Sequence, residues 1–534
     1  MRIIHTSDWH LGQYFYGKSR ANEHQQFLNW LLTQVVIHNI DAVIVAGDIF
    51  DTSTPPSYAR EMYFDFIAEL HNTQCQLIVL AGNHDSVAML AESQSVLANL
   101  STRVITKANS VFNPDKADTS DINSTADMPE QALTAQALAQ QVFSLDDAQG
   151  KANAVICAIP FIRPRDVIKS SAGQSAQDKQ QNLQQAISDH YQHLYQHALI
   201  LSKRLAKEQK LPKDQLLPII ATGHLTALGV SVSDSKSDSV RDIYIGSLEA
   251  FPATAFPPAD YIALGHIHRA QKVAKSEHIR YCGSPIPLSF DEANQEKRVL
   301  MVEFNQGKLK KVKDITIPRF QPMFMVKSSV DALEDNLKAT LSEFEGYQVD
   351  YQQSVLESSL NEASPNKASA NKTLINNTPV KKAWLDIEID NGEHLSDLSQ
   401  RVNDLTKEMP FEVLLVRRSK KARQRQHSQS STQNNSTLSE LSLAEVFDSR
   451  LSQLDWQTDE ELARKVRLTD LFNELAIDLS LNAQTNKETS LLHDSQTDTK
   501  EQSNSNAETN DAELEIELDV KTISQSDENK QQTP

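Results

Sequence analysis

The chain has 534 residues, of which 39% are hydrophobic, 23% charged and 6% aromatic, and its formal charge at pH 7 is −19. At roughly 100–200 residues per domain this length predicts two to four domains, and the acidic balance excludes a uniformly basic nucleic-acid coat while leaving room for local basic patches. Cys75, Cys157 and Cys282 lack paired spacing, which argues against a disulfide scaffold or thiolate zinc site and for a reducing, cytoplasmic setting. No apolar run reaches the ~18–20 residues of a membrane span, and the first four residues lead into polar sequence rather than an apolar leader.

In chain order, residues 2–5, 42–46, 76–81, 154–159, 219–222 and 261–264 are short, apolar, β-rich runs, and helical stretches such as 23–38 and 58–71 separate several of them. Strand–helix alternation predicts a layered α/β domain with a buried sheet. Residues 299–304 and 309–317 read as a hairpin turning at Asn305-Gln306-Gly307, which closes a first domain over 1–318. A smaller unit over 319–416 follows as β (323–326), α (332–344), β (384–389), α (396–409) and β (411–416), a βαβαβ cap. Three stretches are too polar to bury much surface and are assigned no fold: an insertion over 107–150 (with 131–142 a candidate polar helix), a loop over 358–378, and an acidic tail over 481–534. Residues 417–440 form a basic and polar linker whose first nine residues carry six positive charges; they could track DNA, meet an acidic partner or only solubilise the chain. In 441–480, Ser442 with Glu445 and Thr458 with Glu461 are two capping boxes ahead of apolar residues, hence two short amphipathic helices that pack on the cap or dock on a partner.

The chemistry-bearing residues fall just after predicted strands. Asp8 and His10 follow the first, Gly47-Asp48-Ile49-Phe50-Asp51 the second and Gly82-Asn83-His84-Asp85 the third; Gly223-His224 and Gly265-His266-Ile267-His268 follow two later ones. Loops at the carboxyl ends of strands in α/β sheets converge on one crevice, so these segments deliver Asp, His and Asn donors to one place. Two divalent ions ~3.5–4 Å apart suit in-line displacement at phosphorus, a shared carboxylate reduces their repulsion, and imidazole with oxygen donors suits manganese, iron or zinc. Each dipeptide alone is a chance match; five in order behind five strands are not. His190, His193 and His197 sit at helical spacing and read as a solvated helix face, and His5 reads as a packed strand residue.

These segments resemble the calcineurin-like metallophosphoesterase superfamily. The runs Ile4 to Gly12, Ala158 to Arg165, Arg241 to Gly246, Phe256 to Ala270 and Tyr281 to Glu292 narrow the likeness to a branch of bacterial DNA nucleases that work with an SMC-type ATPase. The resemblance spans about residues 1–318 outside the insertion and continues more weakly through the cap to the helical pair. It implies an α/β layered metallophosphoesterase sandwich, sheets flanked by helices, with a small α+β cap and a C-terminal helical pair that docks the ATPase. It implies two divalent metal ions, expected to be manganese: one held by Asp8, His10, Asp48 and His268, the other by Asp48, Asn83, His224 and His266. His84 would face the scissile phosphate as a catalytic group with Asp85 as its orienter. Arg163, Arg165, Arg241 and Arg269 become candidate DNA contacts. The implied assembly is a homodimer within a heterotetramer, in the cytoplasm and without membrane contact. The implied activity is endonuclease on single strands and hairpins and, with the ATPase, 3′–5′ exonuclease on duplex ends, in replication, recombination and repair. No Walker motif is found in this sequence, which agrees with the ATPase partner that the resemblance implies. Thr52 stands where phosphatases of the superfamily carry Arg, and Asp85 where they carry Glu; both departures favour the nuclease branch. From spacing alone, a phosphatase or phosphodiesterase with a non-DNA substrate stays open.

Overall fold

The computed structural model describes residues 1–108, 137–147, 149–168, 175–227, 250–361, 382–390 and 398–419, with Phe447, Leu451 and residues 467–469. Two compact units divide the chain, Met1–Ser431 and Thr432–Pro534, and the few described residues of the second are helical. The expected helical pair over 441–480 and the tail over 481–534 otherwise lie outside the described residues, as do the loop residues 362–381 and Arg241. No described helix is long and apolar enough to cross a membrane.

The first unit begins β1 (Arg2–Thr6), β2 (Tyr14–Phe15), β3 (Lys18–Ser19), α1 (Ala21–His38), β4 (Ala42–Ala46), α2 (Ser57–Asn72), β5 (Gln76–Leu80), α3 (Val87–Glu92), α4 (Gln94–Ala98) and β6 (Thr102–Ile105). It continues with β7 (Val142–Asp146), β8 (Ala152–Cys157), α5 (Pro164–Val167), α6 (Ala176–Glu208), β9 (Ile219–His224), β10 (Tyr261–Gly265), β11 (Gln271–Lys272), β12 (Ile279–Tyr281), β13 (Arg298–Asn305) and β14 (Lys308–Thr316). The cap elements are β15 (Met323–Ser328), α7 (Leu333–Asn361), β16 (Ala383–Ile389), α8 (Leu398–Thr406) and β17 (Phe411–Arg418).

Two six-stranded sheets, ordered β14-β13-β1-β4-β5-β6 and β11-β12-β10-β9-β8-β7, pack face to face. In β4 all five residues of Ala-Val-Ile-Val-Ala are buried, because both of its faces are covered. Ala42, Ile44 and Ala46 join Ile156, Ile220 and Ala263 between the sheets, while Val43 and Val45 join Phe27, Leu31 and Phe66 of α1 and α2 on the outer face. The second sheet is covered by α6, whose Leu183, Ile187, Tyr191, Leu194 and Ala198 recur at helical spacing and are buried. A capping box between Ser175 and Asp178 starts that helix. The result is a helix–sheet–sheet–helix sandwich, the expected layered fold. β13 and β14 turn at Gln306 and Gly307, both with positive φ (49° and 77°), as a tight two-residue hairpin demands.

Several expectations change. The segment 107–150 is not wholly without fold: Val142, Phe143 and Leu145 are buried along β7, an edge strand of the second sheet. Helix α7 runs to Asn361, past the end expected at 344 and into the loop expected from 358. β17 reaches Arg418, so the basic linker begins inside the cap: Arg417 lies on Asp386 (Nη2–Oδ2 2.8 Å) and Glu388 (3.0 Å) rather than free for a partner. His190 is buried beside Tyr191, not on a solvated face, and burial with the neighbouring His193 lowers its pKa to about 4. His5 is packed as expected, with Nδ1 2.9 Å from the Tyr261 hydroxyl.

The cap's three-stranded parallel sheet, β15-β16-β17, meets the sandwich at a shared apolar cluster of Phe15, Phe290, Ala293, Met323 and Trp384. Phe15, on the β2–β3 hairpin, stacks on Trp384 of β16 at 5.7 Å. Beneath them Arg20 is buried, bound to both carboxylate oxygens of Glu23 (2.6 and 2.8 Å) and to the Pro287 carbonyl.

Candidate metal centre

β1, β4 and β5 run parallel in one sheet and β9 and β10 in the other, and the loops leaving their carboxyl ends meet. Asp8 N–H donates to the Gly47 carbonyl (2.9 Å), His10 N–H to that of Asp48 (3.1 Å), and His266 N–H crosses from the second sheet to Asp8 Oδ1 (3.0 Å). The approach is so close that a Cβ on Gly82 would stand 2.0 Å from Asp48 Oδ1, and one on Gly265 1.9 Å from the Ala46 carbonyl oxygen. Asp8, His10, Asp48 and His266 take positive φ (54°, 47°, 51° and 91°), a conformation disfavoured for residues other than glycine.

Two groups of potential ligands result. Asp8, His10 and His268 bring ligand atoms within 4.8 Å of one another, as do Asp48, His224 and His266. Asp48 lies between the groups: its Oδ2 is 3.1 Å from His224 Nε2 and 3.7 Å from His10 Nε2. Asn83 Oδ1 reaches His224 Nε2 (3.0 Å) and His266 Nδ1 (3.1 Å), so all seven expected ligands are assembled.

The donor set fits cations. His224 Nδ1 donates to the Ala46 carbonyl (2.8 Å), leaving Nε2 to converge with Asp48 Oδ2 and Asn83 Oδ1, three lone pairs around one point. His10 has Nδ1 3.2 Å from Asp51 Oδ1, and its Nε2 is buried without a hydrogen-bond partner. Burial disfavours charge on His10 and His224, yet Asp51 and Asp48 around the first and Asp48 around the second lift both to about 9. Although burial raises Asp48, His224 and His10 hold it well below the usual carboxylate range. The cluster therefore draws positive charge, which divalent ions supply with release of those protons. No thiolate takes part: Cys282 Sγ is turned to Ser7 Oγ at 3.0 Å, and that hydroxyl in turn donates to Asp8 Oδ2 at 2.5 Å.

His84 belongs to neither group. Its Nδ1–H donates to the Asp51 carbonyl (2.9 Å), its ring lies edge-on to His10 at 4.9 Å, and burial lowers its pKa. Asp85 does not orient it. The Asp85 carboxylate is turned away and accepts the N–H groups of Gly82 (2.8 Å), Phe50 (3.0 Å) and Ile49 (3.1 Å), stapling the Asp48 loop to the Asn83 loop. A buried carboxylate ringed by orphan backbone donors satisfies those before a distant imidazole. Asp51 is what sequence reasoning missed: its carbonyl holds His84 and its carboxylate holds His10. The Gly47 to Asp51 motif contained that signal, but not which of its atoms mattered. Of the candidate DNA contacts, Arg163 is half-buried with Nη2 3.3 Å from the Asp85 carbonyl, whereas Arg165 and Arg269 are exposed at the surface.

Paired ligand groups at the carboxyl ends of sandwich strands define a metallophosphoesterase. Comparison with known proteins agrees. Residues 1–270 match the family model described as calcineurin-like phosphoesterase, and residues 319–454 the one described as type 5 capsule protein repressor C-terminal domain. SbcD, the D component of the SbcCD nuclease of Escherichia coli K12, is 46% identical over 452 residues, 85% of this chain and 93% of that protein. The SbcD proteins of Rhodobacter capsulatus and Bacillus subtilis are 29% and 27% identical, over 64% and 62% of this chain and 75% and 73% of theirs. The chain belongs to the calcineurin-like phosphoesterases, among the SbcD nucleases.

Proposed function

We propose that this chain is the nuclease subunit of an SbcCD-type complex and hydrolyses DNA phosphodiester bonds at a two-metal centre. The observation that carries this is the position of Asp48 Oδ2 between two separately assembled ligand groups, 3.1 Å from one imidazole and 3.7 Å from the other. Asp8, His10, Asp48 and His268 would hold one ion and Asp48, Asn83, His224 and His266 the other; the nitrogen–oxygen donor set suits manganese, iron or zinc, and manganese is the metal proposed from the family likeness. Such ions supply Lewis-acid charge to the phosphate oxygens and a nucleophilic water at neutral pH.

The protein's own part is placement and proton supply. Asp51 fixes two imidazoles at once, and by accepting His84 Nδ1–H it leaves Nε2 as the free nitrogen of that ring, which would donate to a phosphate oxygen or to the departing oxygen once it has itself taken up a proton and the ring is the imidazolium. Arg163, beside the Asp85 carbonyl, would meet a DNA phosphate near the centre; Arg165 and Arg269, with Arg241, would extend the track. Residues 1–318 form the nuclease domain in this reading and 319–416 the cap. Residues 441–480 dock an SbcC-like SMC-type ATPase in the cytoplasm, the chain pairing as a homodimer inside a heterotetramer. Alone, the chain would nick single strands and hairpins, and the complex would resect duplex ends 3′–5′ under ATP control.

The test is cleavage of a labelled DNA hairpin by the purified chain with manganese, beside Asp48→Asn and an aryl phosphomonoester. Hairpin nicking that is lost in the variant, with little monoester turnover, supports the reading. Monoester turnover without DNA cleavage would move the chain to the phosphatases.

A further inference from the structure

Outside the ligand set, one buried ionised pair is aimed at it. Glu292 and Lys297 are each 7% exposed, and Lys297 Nζ lies 2.5 Å from Glu292 Oε2. Charges this deep persist only where partners offset their desolvation, and here the partners belong to the segment wrapped around His268. Lys297 Nζ also donates to the His268 carbonyl (3.1 Å) and to Ser284 Oγ (2.8 Å), while Leu288 N–H donates to Glu292 Oε2 (3.1 Å). The other carboxylate oxygen, Oε1, stands 3.4 Å from His268 Nδ1, a buried nitrogen with no hydrogen-bond partner. The same arrangement recurs at two other imidazoles of the centre, where Nδ1 faces the Asp51 carboxylate at His10 and the Ala46 carbonyl at His224. In each, an oxygen behind the ring decides which nitrogen is left for the cation.

We infer that Glu292 is a positioning residue of the metal centre: its carboxylate takes the Nδ1–H of His268 and fixes the tautomer that presents Nε2 to the ion, while Lys297 neutralises Glu292 and ties it to the His268 backbone. This rests on His268 being a ligand. The competing role is a plain staple of the 284–297 segment, which would affect stability and leave metal binding alone. Glu292 follows the last proposed ligand by a long interval and lies in a short turn, so no spacing in the sequence points to it.

Metal binding separates the two roles without reference to activity. Mn²⁺ is titrated into the full chain and followed by calorimetry and by the electron-spin signal of the free ion, with folding checked by circular dichroism. The variants are His268→Ala, Glu292→Leu, which has no acceptor for Nδ1–H, Glu292→Asp and the double change Glu292→Leu with Lys297→Met, which leaves neither charge buried alone. Wild type should bind two ions and His268→Ala one. Glu292→Leu and the double variant should keep one site at wild-type affinity and weaken the other by ~10–100-fold, with Glu292→Asp recovering part of the loss. Two ions bound at full affinity by His268→Ala would remove His268 from the ligand set, and the inference with it. Loss of an ion in His268→Ala together with wild-type binding in the folded double variant would overturn the positioning role alone.

Discussion

Removing the Asp85 carboxylate would strip the acceptor from three buried N–H groups, those of Ile49, Phe50 and Gly82. At ~1–3 kcal/mol for each unsatisfied group, Asp85→Ala should lower stability by roughly 3 kcal/mol or more, read as a fall in the urea midpoint. Its neighbour should behave oppositely. His84→Ala removes a half-buried ring outside both ligand groups, so it should melt near wild type, bind two Mn²⁺ and lose cleavage by about 10²–10⁴-fold. Loss of an ion in that variant would make His84 a ligand. The sequence places both residues in the right loop but misjudges Asp85, because motif spacing specifies where the backbone turns and not which orphan amides a short side chain will find. Asp51 escapes notice as a positioning group for the same reason.

At the level of elements, the strands that carry the site are readable because each is a short apolar run ending in Gly or Asp. β4 and β10 are covered on both faces and hence apolar throughout. What stays hidden are elements whose burial depends on tertiary partners: β6, with exposed Arg103 amid four residues, and β7, within a polar stretch. α7 and α8 are recognisable, but their ends are misplaced because polar helix ends carry little periodic signal. The joint between cap and sandwich is also invisible, since Phe15 and Trp384 are far apart in sequence and meet only when folded. Trp384 is 7% exposed, and Trp384→Ala should remove about 3–5 kcal/mol of packing from that joint. Faster protease cleavage at residues 318–322, with the sandwich still resistant, is the expected outcome; uniform cleavage would mean that the cap does not loosen separately.

The whole molecule should be acid-labile for a reason separate from its metal ligands. Burial holds His5 and His24 at a pKa of about 3 and His190 at about 4, against ~6.5 in an unfolded chain. Because the unfolded state binds more protons between these values, stability is fully present above pH ~6.5 and declines as pH falls toward 3–4. By pH 5 each histidine should have removed roughly 2 kcal/mol. His190→Leu should flatten the dependence of the urea midpoint between pH 7 and pH 5 by about one such share; an unchanged slope would mean that His190 is protonated in the folded chain.

Each ligand group also draws on both sheets of the sandwich: Asp8 and His10 leave β1 while His268 follows β10, and Asp48 leaves β4 while His224 ends β9 and His266 follows β10. An ion bound there is a rivet through the seam between two layers that otherwise cohere by apolar packing. Chelation should therefore lower the melting temperature as well as abolish turnover, since each ion present at a hundred times its dissociation constant contributes ~2.7 kcal/mol to the folded state. Under metal starvation the protein would be thinned by proteolysis and would not persist as an idle pool, so its abundance in the cell would track metal supply.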